Sequence, residues 1–223
     1  MLVVGDVRER PKNRENFTFR KISMKQLIYI HGWMCFPDNK AFCKALETRD
    51  YDPFEKKGDR KDWFESIKGT YQIIRPEMPN KNMASYKARK IWFEKIFPYL
   101  NDENLVMVGH SLWAMFLIKY LWENTFPKKV KQLHLMSTVF DESDMTEEEK
   151  YSWDFAYDPS IIPNLEYQVD EIFLYHSTDD DLVPYAHAEK IKAYLPKAKL
   201  ITFHDRGHLL QSEIPEVLEN ITK

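Results

Sequence analysis

This sequence predicts an α/β fold, with a mostly parallel six-stranded sheet carrying helices on both faces. Short apolar runs recur at 27–30, 71–74, 105–108, 132–136, 172–175 and 200–203. Longer stretches with helical periodicity lie between most of them. Strand alternating with helix is the pattern of a parallel sheet covered on both sides. At 223 residues, with 43% apolar and 30% charged side chains, the chain can bury one sizeable core and has the balance of a globular protein.

Residues 1–23 are polar and charged, with Arg8, Arg10, Lys12, Arg14, Arg20 and Lys21 among them. They read as a solvated tail ahead of a domain over 24–223, and either Met1 or Met24 is the natural start. Phe17-Thr18-Phe19 could add an edge strand. Lys25–Ile30 is the first clear strand. Over 84–99, Ala88, Ile91, Trp92, Lys95 and Ile96 recur at three-to-four spacing, which predicts a helix packed on the sheet through that stripe. A helix over 114–122 follows the 105–108 strand. Helices over 184–195 and 215–221 carry Pro184 and Pro215 at their starts. Two stretches, 48–69 and 139–168, break the rhythm. The second is long enough for a small cap insertion. Its Trp153, Phe155 and Tyr157 either line an acyl pocket or form the buried side of a lid. Its acidic run, 141–149, reads as a solvated helix start.

Composition excludes several classes. A formal charge of −3 leaves no electrostatic footprint for nucleic acid. Cys35 and Cys43 lack zinc-ligand or CxxC spacing and read as free thiols of a reducing compartment. No metal-binding histidine helix occurs, so neither metal nor cofactor is expected. No apolar stretch reaches the ~18 residues of a membrane span, and Asp6 and Glu9 interrupt any secretory leader. The expectation is a cytoplasmic protein, without membrane or nucleic-acid partners.

The chemistry is carried by Gly109-His110-Ser111-Leu112-Trp113, directly after the apolar run at 105–108. Strand, then Gly-x-Ser, then helix is the layout of a nucleophile elbow, where a sharp turn lifts a serine hydroxyl clear of the backbone. Such a hydroxyl needs a base, and His208 follows the strand at 200–203, with Gly207 able to turn its loop back over the sheet. An acid to orient the imidazole is expected after 172–175, where Asp179, Asp180 and Asp181 stand together. Asp180 is the preferred choice, four residues before Pro184. His31-Gly32-Trp33 follows the first strand. Gly32 would let the backbone pass close to a substrate, and the Trp33 N–H would join that of Leu112 in holding an oxyanion. His134, His176, His187 and His204 read as structural, and His110 as packing beside the elbow.

His-Gly-Trp at 31–33, Gly-His-Ser-Leu at 109–112, Asp-x-x-Val-Pro at 180–184 and Gly-His at 207–208 give the chain a resemblance over 25–223. It resembles the α/β-hydrolases, and among them the compact serine hydrolases of the retinoblastoma-binding hydrolase group. The resemblance implies strand order 2-1-3-4-5-6 and a Ser111–His208–Asp180 triad at the carboxyl ends of the strands. It also implies an oxyanion hole from Trp33 and Leu112 and an acyl-enzyme formed from a small ester or related acyl compound, while Gly32 and Trp113 themselves are the expected substrate contacts. Amides or peptides would serve the same triad. Monomer and homodimer both fit. Trp113 departs from the family, which has glycine or another small residue there. The indole is tolerated with its ring narrowing the cleft, is an engineered or acquired change, or marks a catalytically silent fold that binds a partner or ligand.

Overall fold

Strand β3 (Leu105–His110) is buried along its whole length, and the sheet is built outward from it. The computed structural model describes residues 24–32, 35–36, 38–48, 62–79, 85–101, 104–142 and 153–223. The expected tail at 1–23, Trp33, and most of the acidic run at 141–149 lie outside these. In chain order the remaining strands are β1 (Lys25–Ile30), β2 (Tyr71–Ile74), β4 (Val130–Met136), β5 (Val169–Ser177) and β6 (Lys199–Phe203). The helices are α1 (Asn39–Thr48), α2 (Tyr86–Phe93), α3 (Leu112–Glu123), α4 (Ala186–Tyr194) and α5 (Pro215–Thr222).

All five strand pairings are parallel, in the order β2-β1-β3-β4-β5-β6. Strands buried on both faces read as unbroken apolar runs, as β1 and β3 do, whereas the edge strands β2 and β6 are only partly buried. β1 shows the two faces in alternation. Ile28 and Ile30 join the core beneath α2, α3 and α4, while Leu27 and Tyr29 join the core with Trp63, Phe64 and α5. The strand order reverses between β1 and β3, where Ile30 pairs with Gly109. Chains leaving those two strands diverge, and a crevice opens at their carboxyl ends.

Two helices differ from expectation. On α2 the buried side chains are Tyr86, Arg89 and Phe93, whereas Ile91 and Trp92 are 54% and 43% exposed. The stripe is rotated because the guanidinium of Arg89, fully buried, lies 4.1 Å from the Trp113 ring. A periodicity count scores an arginine as outward-facing. The α-helix also stops at Phe93 and tightens into 3-10 turns over Glu94–Tyr99, which include Pro98. Helix α1 was not anticipated. None of its side chains is fully buried, and Asp38 caps it by accepting the Ala41 N–H at 2.7 Å.

The described part of the 139–168 insertion consists of 3-10 turns at Trp153–Phe155 and Pro159–Tyr167. Phe155, Ile162 and Leu165 are buried in the same core as α3. Phe155 is thus a core residue of the domain.

Helix α3 packs against β3 without clearance. A Cβ added to Gly109 would lie 2.8 Å from Ala114 Cα and 3.0 Å from Ala114 N, both backbone atoms that cannot swing aside. Gly109→Ala is expected to destabilise the protein by about 1–3 kcal/mol, the usual cost of overpacking. Urea unfolding measures this, and an unchanged midpoint would show that the two elements can separate.

Candidate active site

The elbow forms because β3 ends in a turn that L-residues rarely adopt. Ser111 has φ 58° and ψ −131°, a conformation costing on the order of 1–3 kcal/mol unless its surroundings impose it. Here they do. The Ser111 N–H donates to Met136 O at 2.8 Å, continuing the ladder with β4. The Ser111 carbonyl accepts from Ala114 N–H at 3.0 Å and so starts α3. A serine at the start of a helix ordinarily spends its hydroxyl capping the first turn. The Ser111 side chain makes no capping bond.

The other loops are tied to this point. Gly32 presses against the elbow, for a Cβ there would meet His110 Nδ1 and Ser111 Cβ at 3.0 Å each. His110 Nε2–H donates to His208 O at 2.8 Å, and the two rings lie 4.9 Å apart. Burial, with the neighbouring His208 adding to it, pushes the His110 pKa down to about 3, so the ring is neutral. The turn that carries His208 has Gly207 at φ 49° and Leu209 at φ 53°. It is the reversal expected of Gly207.

Of the three aspartates, Asp180 meets the imidazole. Its carboxylate is fully buried, and His208 Nδ1 lies 3.0 Å from Oδ1 and 2.9 Å from Oδ2. Oδ1 also accepts the N–H groups of Leu182 at 3.0 Å and Val183 at 2.9 Å. Burial alone would raise the Asp180 pKa. The hydrogen bond and charge of His208, with the Val183 N–H, outweigh it and hold the group at about 2. Asp179 has a separate part. It accepts from the Ser177 hydroxyl and, at 3.0 Å, from Gly207 N–H, while Ser177 Oγ accepts Arg206 N–H at 3.1 Å. That clasp joins the loop after β5 to the loop after β6, and the sequence showed only three adjacent acids. Asp181 is exposed and solvates the turn.

Asp180 and His208 are thus brought into direct contact. Ser111 is half-buried beside them, and among the described residues its hydroxyl does not close a hydrogen bond to His208. Such links are commonly long before substrate binds. Leu112 is the first residue of α3, so its N–H has no acceptor within the helix. Trp33, named as the second oxyanion donor, lies outside the described residues.

Trp113 is packed into the core. It is 2% exposed, its ring lies against Arg89, Phe116 and Phe155, and the close approach to Gly109 is made by Ala114 instead. It also lines a cavity of about 370 Å³ with Ile30, His31, Arg75 and Met78. The sequence did not signal Arg89 as its partner. His134 stacks on Phe173, and His187 Nδ1 accepts the Phe140 N–H at 3.0 Å, both within the core. Among the described residues no three His, Cys, Asp or Glu side chains cluster to hold a metal, and no helix is long and apolar enough to cross a membrane.

A parallel sheet of this order, with a serine elbow at its switch point, is the α/β-hydrolase fold. Among curated proteins it is similar to Serine hydrolase RBBP9 of Rattus norvegicus, 27% identical over 155 residues, which is 69% of this chain and 77% of that protein. The ydeN gene product of B. subtilis superposes with a TM-score of 0.65 at 18% identity, covering 89% of this chain and 97% of that one. Carboxylesterase CesB (YbfK) from Bacillus subtilis gives 0.55 at 14% identity, covering 90% and 83%. At these identities the solved structures speak for the fold. No protein-family model matches the chain.

The Asp180 environment has a consequence for acid stability. A carboxyl held at about 2 against its ordinary 3.8 contributes stability above pH 4, which is lost as the pH falls toward 2. The wild type is expected to lose about 2 kcal/mol more than Asp180→Asn between about pH 5 and 2. Urea titrations across that range measure the difference. Parallel curves would mean that the carboxylate is not depressed in the folded state.

Proposed function

We propose that this protein hydrolyses a small ester or related acyl compound through an acyl-enzyme on Ser111. The observation that carries the reading is the buried Asp180–His208 pair beside a strained serine elbow whose hydroxyl is not spent on capping. With Nδ1 of His208 committed to Asp180, Nε2 is the nitrogen that takes the Ser111 proton as Oγ attacks the carbonyl carbon. The tetrahedral oxyanion is held by the Leu112 N–H and by the Trp33 N–H from the loop after β1. His208 then returns the proton to the leaving alcohol, and water, deprotonated by the same nitrogen, releases the acid. Asp180 keeps the imidazole in the required tautomer and balances its transient positive charge. The reaction needs no metal or cofactor.

The name of the curated relative, a serine hydrolase, supports the reaction class. Cys35 and Cys43 form no disulfide, which suits a cytoplasmic setting. Trp113 is read as a tolerated wall of the substrate cavity, because its ring turns toward α2 and leaves the elbow contact to Ala114.

The decisive experiment exposes the chain to a fluorophosphonate probe and measures intact mass. One adduct is expected, absent from Ser111→Ala, and ester turnover should fall on the order of 10³- to 10⁴-fold in His208→Ala and Asp180→Asn. Folded wild-type protein that takes up no probe would make the chain a silent hydrolase fold that binds rather than cleaves. Trp113→Gly tests the other half of the reading. It is expected to lose about 3–5 kcal/mol of stability through the emptied indole site and to gain no activity. Labelling that emerges only in the glycine variant would mark the tryptophan as a lesion.

A further inference from the structure

His176 takes no part in the steps above, yet it stands against the same carboxylate. It lies near the end of β5, opposite Thr202 of β6, and is 1% exposed. Its Nε2 is 2.7 Å from Val183 O. A carbonyl only accepts, so the ring proton sits on Nε2. Burial lowers the pKa of the ring, leaving it neutral with that single N–H to give. The same nitrogen is 3.5 Å from Asp180 Oδ2, and Nδ1 has no hydrogen-bond partner among the described residues. The ring therefore directs its one donor at the acid loop.

The carboxylate needs support on that side. Oδ1 is held by the Leu182 and Val183 N–H groups as well as by His208. Oδ2 has His208 Nδ1 at 2.9 Å and, further off, His176. Val183 is gripped at both of its polar atoms, its N–H by Asp180 and its carbonyl by His176.

We infer that His176 is a positioning residue for Asp180: its Nε2–H pins the Val183 carbonyl and faces Oδ2, which keeps the carboxylate turned toward His208. The inference rests on the triad reading for its catalytic consequence, though not for its structural one. The titratable groups facing His176 are Asp180, His208 across the same carboxylate, and Tyr185, whose ring lies edge-on at 5.8 Å with its hydroxyl bonded to Thr202. If Asp180 swings away, the pairing that depresses its carboxyl is broken and its negative charge no longer stands beside the imidazole. A displacement of about 1 Å in such a constellation can cost on the order of 100-fold in rate.

The test compares His176→Phe, His176→Asn and His176→Gln in the full chain. Phenylalanine keeps the ring without its N–H, asparagine is too short to reach Val183 O, and glutamine carries an N–H to the place of Nε2. The His208 titration midpoint is followed by NMR, and kcat and KM for p-nitrophenyl acetate are followed across the acid limb. In the Phe and Asn variants the midpoint and the acid limb of kcat/KM are expected to move together to lower pH. There kcat falls about 10- to 100-fold while KM stays within about twofold, and Gln recovers most of both. An unmoved His208 midpoint in a folded Phe or Asn variant overturns the inference, and so does Gln behaving no better than Asn. If Phe does not fold, the Asn–Gln pair decides alone. Wild-type protein without turnover would sink the hydrolase reading, while the His208 midpoint would still decide the role of His176.

Discussion

The contact between Gly109 and Ala114 governs the geometry of this molecule's working end. Strand and helix can meet there only because the strand offers no side chain and the helix offers a methyl group. With that distance fixed, the chain has one residue in which to reverse, and Ser111 takes a positive φ because neither neighbour can yield. The backbone strain is held by the ladder bond to Met136 and the first turn of α3. A serine in this position cannot relax into an ordinary helix cap, and its hydroxyl is presented instead of being consumed.

Around that fixed point the loops are joined by buried polar groups rather than by apolar packing. A carboxylate taken wholly out of water is costly unless it is paired and hydrogen-bonded. Asp180 meets the condition through His208 and two backbone N–H groups. Asp179 and Ser177 clasp the adjoining turn, and His110 holds the carbonyl of His208 from the elbow side. Loops from β3, β5 and β6 are thereby registered on one another. Displacing any one of them exposes an unsatisfied group elsewhere in the set, which is how a network of modest bonds fixes a position closely.

Legibility in the sequence followed burial and periodicity. The strands were readable because each contains an apolar run, and the candidate site residues stood out because they sit at strand ends. Asp180 could be preferred over Asp179 and Asp181 only by its spacing to Pro184. Its environment, with two N–H groups and His208 converging on one carboxylate, is a tertiary fact. Helix α1 escaped notice because none of its side chains is fully buried. The inward face of α2 was misassigned for the opposite reason. It buries a charged residue, and local hydrophobicity cannot foresee a guanidinium whose partner ring lies on another helix.

That same pairing accounts for the tryptophan in the elbow. An indole at position 113 would be an obstruction if it had to occupy the gap between α3 and β3, but that gap belongs to residue 114. One step along a helix rotates the side chain by about 100°, enough to carry the ring from the strand toward α2 and Phe155. There it meets Arg89, which is stacked over the ring at 4.1 Å and donates to Cys35 Sγ at 3.4 Å. A buried cation–π contact can contribute about 2 kcal/mol, part of the cost of holding a guanidinium away from water. The guanidinium and the indole are thus partners across two helices, with Cys35 and Asp154 also acting on the arginine.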